Sequence, residues 1–218
     1  MQNMKRSTNP EIVFEDKYIF ILNKQAGIST DSEDSSFREI LSEGKTKKLH
    51  QVNRIDQVVS GLVMFAKNKS SAALFSKLFQ ERNIEKTYLA IVKKGVAEKE
   101  SKLEFKLVRN GKLRKAFVNE KGKLSSLSYQ KIGSTDSYDC LKIDIKEGRF
   151  HMIRCMLSHV GMPIKGDVKY GARRKNPDRS IDLHSYGLSF THPVTKEIHN
   201  IIAPLRENNL WQACDKFL

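Results

Sequence analysis

Hydrophobic residues along the chain recur with the two spacings that distinguish strands from helices. Residues 141–146 (LKIDIK) alternate strictly between apolar and charged side chains, so a strand there has one apolar face. Residues 149–160 instead place apolar side chains on one helical face, and Gly161 and Pro163 follow as stop signals. Residues 60–66 are almost wholly apolar, which predicts a short buried strand.

Weaker patterns predict the remaining elements. A helix is predicted to begin at Asn68 or Ser70 and to end near Arg82, and a closing helix is predicted around Trp211. Together these elements indicate an α+β fold with a largely antiparallel sheet. Clusters of Ile, Val, Phe and Tyr between turn residues predict further strands at 12–14, 18–22, 87–92, 127–131, 188–190 and 198–202.

Length and composition bound the architecture. The chain has 218 residues, of which 39% are hydrophobic, so it can bury a sizeable core, and we predict one catalytic domain spanning residues 1–218. The apolar runs are much shorter than the roughly 20 residues that a membrane-spanning helix requires. No apolar signal region follows the basic N-terminus. We therefore expect a soluble protein without membrane partners.

The cysteines and histidines indicate neither a disulfide framework nor a metal site. Cys140, Cys155 and Cys214 are odd in number and widely spaced, and we expect them to be reduced in the cytoplasm. The six histidines lack the close spacing of zinc ligands. Glycine-rich nucleotide loops are also absent from the sequence. We expect no cofactor and no metal, so that catalysis must come from side chains alone.

The charge balance favours a polyanionic partner. The chain carries 39 Lys and Arg against 25 Asp and Glu, which gives a net charge of +14. Basic residues cluster in two segments that look like loops, 102–131 and 169–179. Either cluster is compatible with an ordinary solvated surface. Nucleic acid is favoured over a membrane because no basic amphipathic helix with exposed aromatic residues is present.

Asp56 is a candidate functional residue because it lies where a polar segment is followed directly by an apolar one. Asn53, Arg54 and Asp56 precede residues 58–65, so the polar groups lie at the mouth of a predicted strand. An arginine beside a carboxylate keeps it ionised and orients an oxygen for attack, and Arg54 or Arg154 can supply that charge. The local pattern alone favours a simpler interpretation, in which the aspartate closes a turn before a strand.

Ordered motifs over nearly the whole chain change that interpretation. Residues 54–67 (RIDQVVSGLVMFAK) resemble the RLDxxTSGLLLFAK signature of the RluA-type RNA pseudouridine synthases. Further matches follow in order: KTYLA at 86–90 resembles K-x-Y-x-A, GRFHMIR at 148–154 resembles GRxHQIR, and GMPIKGDVKYG at 161–171 resembles G-x-P-I-x-G-D-x-x-Y-G. Residues 183–185 and 190–193 are similar to the LHA and F-x-HP elements.

The resemblance implies an isomerase that converts uridine in RNA to pseudouridine without cofactor or metal. It also implies a mixed, mainly antiparallel central sheet with flanking helices and a basic catalytic cleft. By position, Asp56 would be the nucleophile, attacking either the base or the sugar. Tyr88 would stack on the target base and assist removal of its C5 proton, and Arg154 would pair with Asp56. The partner would be a structured ribosomal or transfer RNA.

Three further positions are predicted to bind the substrate. Arg54 would fill the space that is vacated when the target nucleotide flips out of its stem, and Leu183 would pack beneath the uracil. Ile164, in the segment 161–171, is predicted to contact substrate as well. His151 is interpreted as structural, donating a hydrogen bond at its helix start. We expect a cytoplasmic monomer without the small S4-type RNA-binding module of many relatives.

Three departures from the family pattern keep an alternative open. Asn53 stands where the family usually has histidine, Val59 where it has threonine, and Met152 where it has glutamine. These changes motivate a second hypothesis, a catalytically weak or inactive RNA-binding or assembly protein on the same fold. Each site residue also has a simpler interpretation: Tyr88 as a packed core residue and Arg154 as a surface arginine. A methyltransferase is disfavoured because no glycine-rich cofactor loop is present.

Overall fold

Eleven strands form one mixed sheet in the computed structural model, which describes residues 11–30 and 49–218. The strands are β1 (Glu11–Glu15), β2 (Ile19–Lys24), β3 (His50–Gln51), β4 (Ser60–Ala66), β5 (Ile84–Lys93), β6 (Glu100–Asn110), β7 (Lys115–Val118), β8 (Lys123–Ser134), β9 (Tyr138–Ile145), β10 (Leu183–Thr191) and β11 (Ile198–Ile202). The helices are α1 (Lys69–Gln80), α2 (Met152–His159) and α3 (Asn209–Asp215), with a 3-10 turn at Val168–Tyr170.

The sheet order confirms the predicted mixed, mainly antiparallel architecture. The strands follow the order β1-β2-β4-β10-β5-β9-β8-β6-β7, with β3 paired to β4 and β11 paired to β10. Among these pairs only β4 with β10 is parallel, through His184 opposite Ser60 and Ser185 opposite Gly61. None of the helices in the described part of the chain is both long and apolar enough to span a membrane.

The elements with the clearest local signals form as predicted. All seven residues of β4 are buried, which explains why that segment carries no polar face. In β9 the apolar residues are buried and Asp144 is exposed, as the strict alternation requires. Helix α1 begins after Asn68, whose side-chain oxygen accepts a hydrogen bond from the Ser71 backbone N–H.

The basic segment 102–131 is not the loop that it resembled outside the strand predicted at 127–131. It lies within a three-stranded antiparallel extension in which β6 pairs with both β7 and β8. The burial pattern of β6 alternates between exposed and half-buried residues, so its lysines occupy the solvent face of a strand. The segment looked like a loop because it is rich in lysine. A strand near the border of a sheet buries little apolar surface, so it can carry many lysines.

Consecutive residues of β5 face different apolar clusters on the two sides of the sheet. Tyr88, Ala90 and Val92 join the largest cluster, which includes the buried face of α2. Leu89 and Ile91 join a smaller cluster on the other side, formed with Trp211 and other residues of α3. Successive side chains of β5 point to opposite faces of the sheet, so this strand packs against α2 on one face and against α3 on the other.

The cysteine prediction was wrong. Cys140 in β9 and Cys214 in α3 form a disulfide, and Cys155 is free and buried. The two partners are 74 residues apart in sequence, and they meet because Trp211 brings α3 onto the sheet. Sequence spacing carries no trace of such a pairing, since it depends on tertiary packing.

Candidate active site

Asp56 lies on a loop that leaves the sheet just before β4 begins. The Val52 N–H donates to the Met64 carbonyl at 3.0 Å, and the Met64 N–H donates to the Asn53 side-chain oxygen at 2.7 Å. Beyond Asn53 the chain departs from β4 and returns through a turn in which the Val59 N–H donates to the Asp56 carbonyl. The carboxylate is thus held at the strand mouth, with its side chain 26% exposed.

A buried arginine from α2 contacts this carboxylate. Arg154 Nη1 lies 2.8 Å from Asp56 Oδ2. Its Nε and Nη2 donate to Asp167 Oδ2 and Oδ1 at 2.7 Å and 2.9 Å, which makes a two-point contact. Burial opposes the charge, but hydrogen bonding to Asp167 and the charges of both carboxylates outweigh it and raise the pKa of Arg154. The structure therefore brings together the predicted pair of Asp56 and Arg154.

Tyr88 faces the same cavity from β5. Its ring is buried. Burial raises the pKa of Tyr88 to about 12, against a smaller lowering effect of the nearby Ser185 side chain. The tyrosine is therefore a neutral phenol at neutral pH. A neutral ring can stack on a base, but it is not itself a ready proton acceptor.

The cavity above Asp56 includes five of the six predicted site residues. Arg54, Tyr88, Arg154 and Leu183 all line it together with Asp56. The remaining lining residues are Ile55, Val59, Ile145, Gly148, Arg149, His151, Met152 and Ile153. In the described residues no group of three or more His, Cys, Asp and Glu side chains is arranged to hold a metal ion.

Ile164 is the predicted site residue that the structure does not bring to the cavity. It is fully buried and forms an isolated antiparallel bridge with Val92. Its side chain belongs to the apolar cluster around α2 rather than to the cavity wall. A fully buried aliphatic residue supports the site by packing, and direct contact of Ile164 with substrate stays a prediction.

Asp167, His151 and Tyr170 are the residues whose importance the sequence did not reveal. Asp167 is 2% exposed and is the second partner of Arg154. The Arg154 guanidinium also lies 5.0 Å from the centre of the Tyr170 ring. Asp167 and Tyr170 belong to the matched segment 161–171 and His151 to the matched segment 148–154, but local pattern gave them no reactive role. His151 makes no side-chain capping bond at the start of α2, contrary to the prediction.

Lys24 supports the Asp56 loop from beneath. Its side chain is fully buried, and its ammonium donates to the carbonyls of Gln25, Ile28, Gln57 and Val59 at 2.6–3.3 Å. Burial lowers the pKa of Lys24 to about 7, an effect that the charge of Asp56 partly offsets. The lysine thus joins the turn after β2 to the turn after Asp56.

Comparison with known proteins shows similarity to RNA pseudouridine synthases. A family model described as RNA pseudouridylate synthase matches residues 18–159. The ribosomal large subunit pseudouridine synthase C of Buchnera aphidicola subsp. Schizaphis graminum is 32% identical over 220 residues, which cover 92% of this chain and 69% of that protein. The dual-specificity RNA pseudouridine synthase RluA of Vibrio parahaemolyticus is 31% identical, with 89% of this chain and 82% of that protein covered.

Two further matches extend the comparison. The tRNA pseudouridine synthase C of Haemophilus ducreyi is 29% identical, with 93% of each chain covered. Among solved structures, human RNA pseudouridylate synthase domain containing 1 superposes with a TM-score of 0.79 at 23% identity, covering 95% of this chain and 88% of that one. At that identity the superposition establishes a common fold.

Proposed function

The chain belongs to the RNA pseudouridylate synthase family, and from this premise we propose that it isomerises specific uridines of RNA to pseudouridine with Asp56 as the nucleophile. The observation that carries the proposal is the contact between Asp56 Oδ2 and the buried guanidinium of Arg154 in the wall of a cavity. A guanidinium in that place holds and orients the carboxylate that attacks.

The reaction exchanges one bond to ribose for another. The bond between ribose C1′ and uracil N1 breaks, and a bond between C1′ and C5 forms. C5 loses its proton and N1 gains one, so the product is an isomer of the substrate. Asp56 attacks either C1′ of the sugar or the base itself, and both routes free the uracil to turn before it rejoins the ribose. Asp56 is released at the end and no cofactor is consumed.

Tyr88 and Leu183 are proposed to hold the uracil while it turns. Both line the cavity, and a flat phenol ring and an aliphatic side chain can each pack against a planar base. Because its pKa is about 12, Tyr88 acts in this proposal by stacking rather than as a base. Removal of the C5 proton is then left to another acceptor in the site, which in this scheme is the carboxylate of Asp56 once it has left the sugar or base.

Arg54 and the basic surfaces are proposed to bind the RNA around the target. Arg54 is exposed at the cavity and can fill the gap that the flipped nucleotide leaves in its stem. Exposed cations also lie on the turn between β6 and β7 and in the loop that follows Gly171. Phosphate contacts by these residues release counterions, so binding should weaken steeply as salt rises.

We further propose that the enzyme is a monomer that acts in the cytoplasm on structured ribosomal or transfer RNA. The names of its relatives refer to the ribosomal large subunit, to tRNA and to dual specificity, which supports both substrate classes for this chain. The alternative of a non-catalytic RNA-binding or assembly protein is not favoured, because these relatives are synthases. A comparison of pseudouridine maps of total RNA from wild-type and deletion strains would identify the target uridine.

The nucleophile assignment is tested by replacing Asp56 with asparagine. RNA labelled with [5-³H]uridine in a deletion strain releases tritium to water when C5 exchanges its hydrogen for ribose. Wild-type protein should release tritium and create carbodiimide-reactive stops at defined uridines, whereas Asp56→Asn should do neither. Asp136→Asn, at an exposed loop position, is the matched control and should behave as wild type. Full activity of Asp56→Asn, or none in the wild type, would reject the proposal.

A further inference from the structure

We propose that His151 is a positioning residue for the nucleophile, held by Tyr170 as a neutral imidazole whose Nε2–H faces Asp56 beside Arg154. This inference rests on the proposed role of Asp56. It assigns a task to a histidine that would otherwise be only a part of the cavity wall.

The first observation is the direction of the ring. His151 Nε2 lies 3.5 Å from Asp56 Oδ2, the same oxygen that Arg154 Nη1 contacts at 2.8 Å. The histidine side chain is 9% exposed, so water competes little for this nitrogen. Both donors address Oδ2. Neither contact involves the other oxygen, Oδ1, which in this proposal is the atom that attacks the substrate.

The second observation is the partner of the other ring nitrogen. His151 Nδ1 lies 3.0 Å from the Tyr170 hydroxyl oxygen. That oxygen already accepts a hydrogen bond from the Ala116 N–H at 2.7 Å. The Tyr170 proton can then go to His151 Nδ1 or to the Ala116 carbonyl, and the carbonyl is farther away at 3.4 Å. The shorter contact makes Nδ1 the acceptor and leaves the imidazole proton on Nε2.

The protonation states agree with this geometry. Burial lowers the pKa of His151 to about 4, although Asp56 and Asp167 favour its charged form and Arg154 and Lys169 oppose it. Burial also raises the pKa of Tyr170, so the phenol keeps the proton that it donates. At neutral pH the imidazole is therefore neutral and carries a single N–H. The identity of the protonated nitrogen then decides whether Asp56 faces a donor or an acceptor.

The backbone and neighbouring rings hold His151 in an uncommon conformation. Its φ of 52° and ψ of 25° lie in the left-handed region, which residues other than glycine adopt uncommonly. The Phe150 ring stacks on the imidazole with centroids 3.8 Å apart, and the Arg109 guanidinium lies 4.5 Å from the Phe150 ring. Arg109 lies in β6 and Ala116 in β7, so the β6–β7 hairpin contacts the two rings, Phe150 and Tyr170, that hold the histidine.

Nuclear magnetic resonance of protein labelled with ¹⁵N-histidine tests the tautomer without reference to activity. Long-range ¹⁵N–¹H correlations distinguish a protonated ring nitrogen from an unprotonated one, and His151→Gln identifies the His151 signals by their loss. We expect Nε2–H in the wild type and a mixture, or Nδ1–H, in Tyr170→Phe. Nδ1–H in the wild type, or an unchanged tautomer in Tyr170→Phe, would overturn the proposal.

Two substitutions of His151 test its effect on the reaction. Glutamine can place an N–H close to the position of Nε2, whereas asparagine is too short to reach Asp56 but tolerates the left-handed backbone well. Single-turnover rates should fall about tenfold in His151→Asn and recover to within about threefold in His151→Gln, with RNA affinity unchanged in both. Equal rates in the two variants would reject the donor role. If Asp56→Asn were active, the proposed function would fail while the tautomer result stood.

Discussion

Arg154 gives two of its hydrogen bonds to Asp167, through Nε and Nη2, and the third nitrogen, Nη1, is the one that contacts Asp56. A two-point contact fixes the plane of a guanidinium, because both N–H groups must align with both carboxylate oxygens. The direction of Nη1 is then set by a residue that does not touch the nucleophile. Asp167 also supplies a negative charge that makes the burial of Arg154 tolerable.

Replacement of Asp167 by asparagine should therefore impair both catalysis and stability. The asparagine amide cannot accept from both nitrogens, so Arg154 loses one hydrogen bond and a compensating charge. We expect a fall of about a hundredfold in the single-turnover rate and a loss of about 3 kcal/mol in the free energy of unfolding, measured in urea. Asp178→Asn is the control, since Asp178 pairs with Arg206 on a different loop and should leave the rate unchanged. A folded Asp167→Asn with the wild-type rate would contradict this view.

Asn53 gives a second prediction, on how the Asp56 loop is held. Its side-chain oxygen takes the place of a backbone carbonyl opposite the Met64 N–H, which ends the pairing with β4 three residues before Asp56. Asn53→Ala should leave that N–H unpaired and lower the single-turnover rate about tenfold, with a loss of about 1–2 kcal/mol in stability.

The matched variants separate this role from simple destabilisation. Asn53→Asp keeps the accepting oxygen and should retain most of the rate. Asn119→Ala removes a comparable side-chain acceptor from an exposed turn, where Asn119 accepts from the Lys121 N–H, and should not alter the rate. Equal rates for Asn53→Ala and the wild type would show that the loop holds its position without this bond.

The fold was predictable where one local rule acted alone. Strand β9 shows strict alternation, and α1 begins at an asparagine that caps it, so each was visible without tertiary information. The β6–β7 hairpin was not, because its pairing with β8 lets lysines occupy a strand that local composition assigned to a loop. The composition of a segment indicates how much apolar surface it can bury. Whether the segment is a strand depends on hydrogen bonding to a neighbouring strand, which composition does not show.

The site was predictable where a sequence motif marked a residue, and not where a residue's role depends on tertiary contacts. The motif around Asp56 and the motif around Arg154 each indicated a reactive residue, and the structure brings the two side chains together. The task of Asp167 depends on a contact with Arg154, 13 residues earlier, from a position just before a 3-10 turn, and no spacing rule encodes it. The position of Ile164 behind the cavity wall was not predicted, because membership of a matched segment does not distinguish a residue that lines a cavity from one that packs behind it.

A third prediction concerns stability in acid. His184 is buried in β10 with its Nδ1 2.8 Å from the Ser60 hydroxyl, and burial, followed by the charge of Arg206, lowers its pKa to about 3. A histidine in the unfolded chain has a pKa near 6.5. Below that pH, His184 is therefore protonated in the unfolded state but not in the folded state. Stability should consequently be lost as pH falls from about 6.5 toward 3.

The measurement is the free energy of unfolding in urea at a series of pH values between 5 and 6, where few carboxylates titrate. His184→Gln should reduce the slope by about one proton, which is about 1.4 kcal/mol per pH unit. His159→Gln, at an exposed position on α2, should leave the slope as it is in the wild type. An identical slope in His184→Gln would mean that this histidine is protonated in the folded protein.

The disulfide between Cys140 and Cys214 yields the last prediction. It closes a loop of 74 residues, and restricting the unfolded chain to that extent stabilises the folded state by about 4 kcal/mol. Dithiothreitol should therefore lower the urea midpoint of the wild type to that of Cys214→Ala, while Cys155→Ala should remain as sensitive to reductant as the wild type. Because Cys140 lies in β9 beside the strand that carries Tyr88, reduction should loosen α3 and increase amide exchange in β9 more than in β4. A midpoint unaffected by dithiothreitol would mean that the purified protein carries both cysteines as thiols.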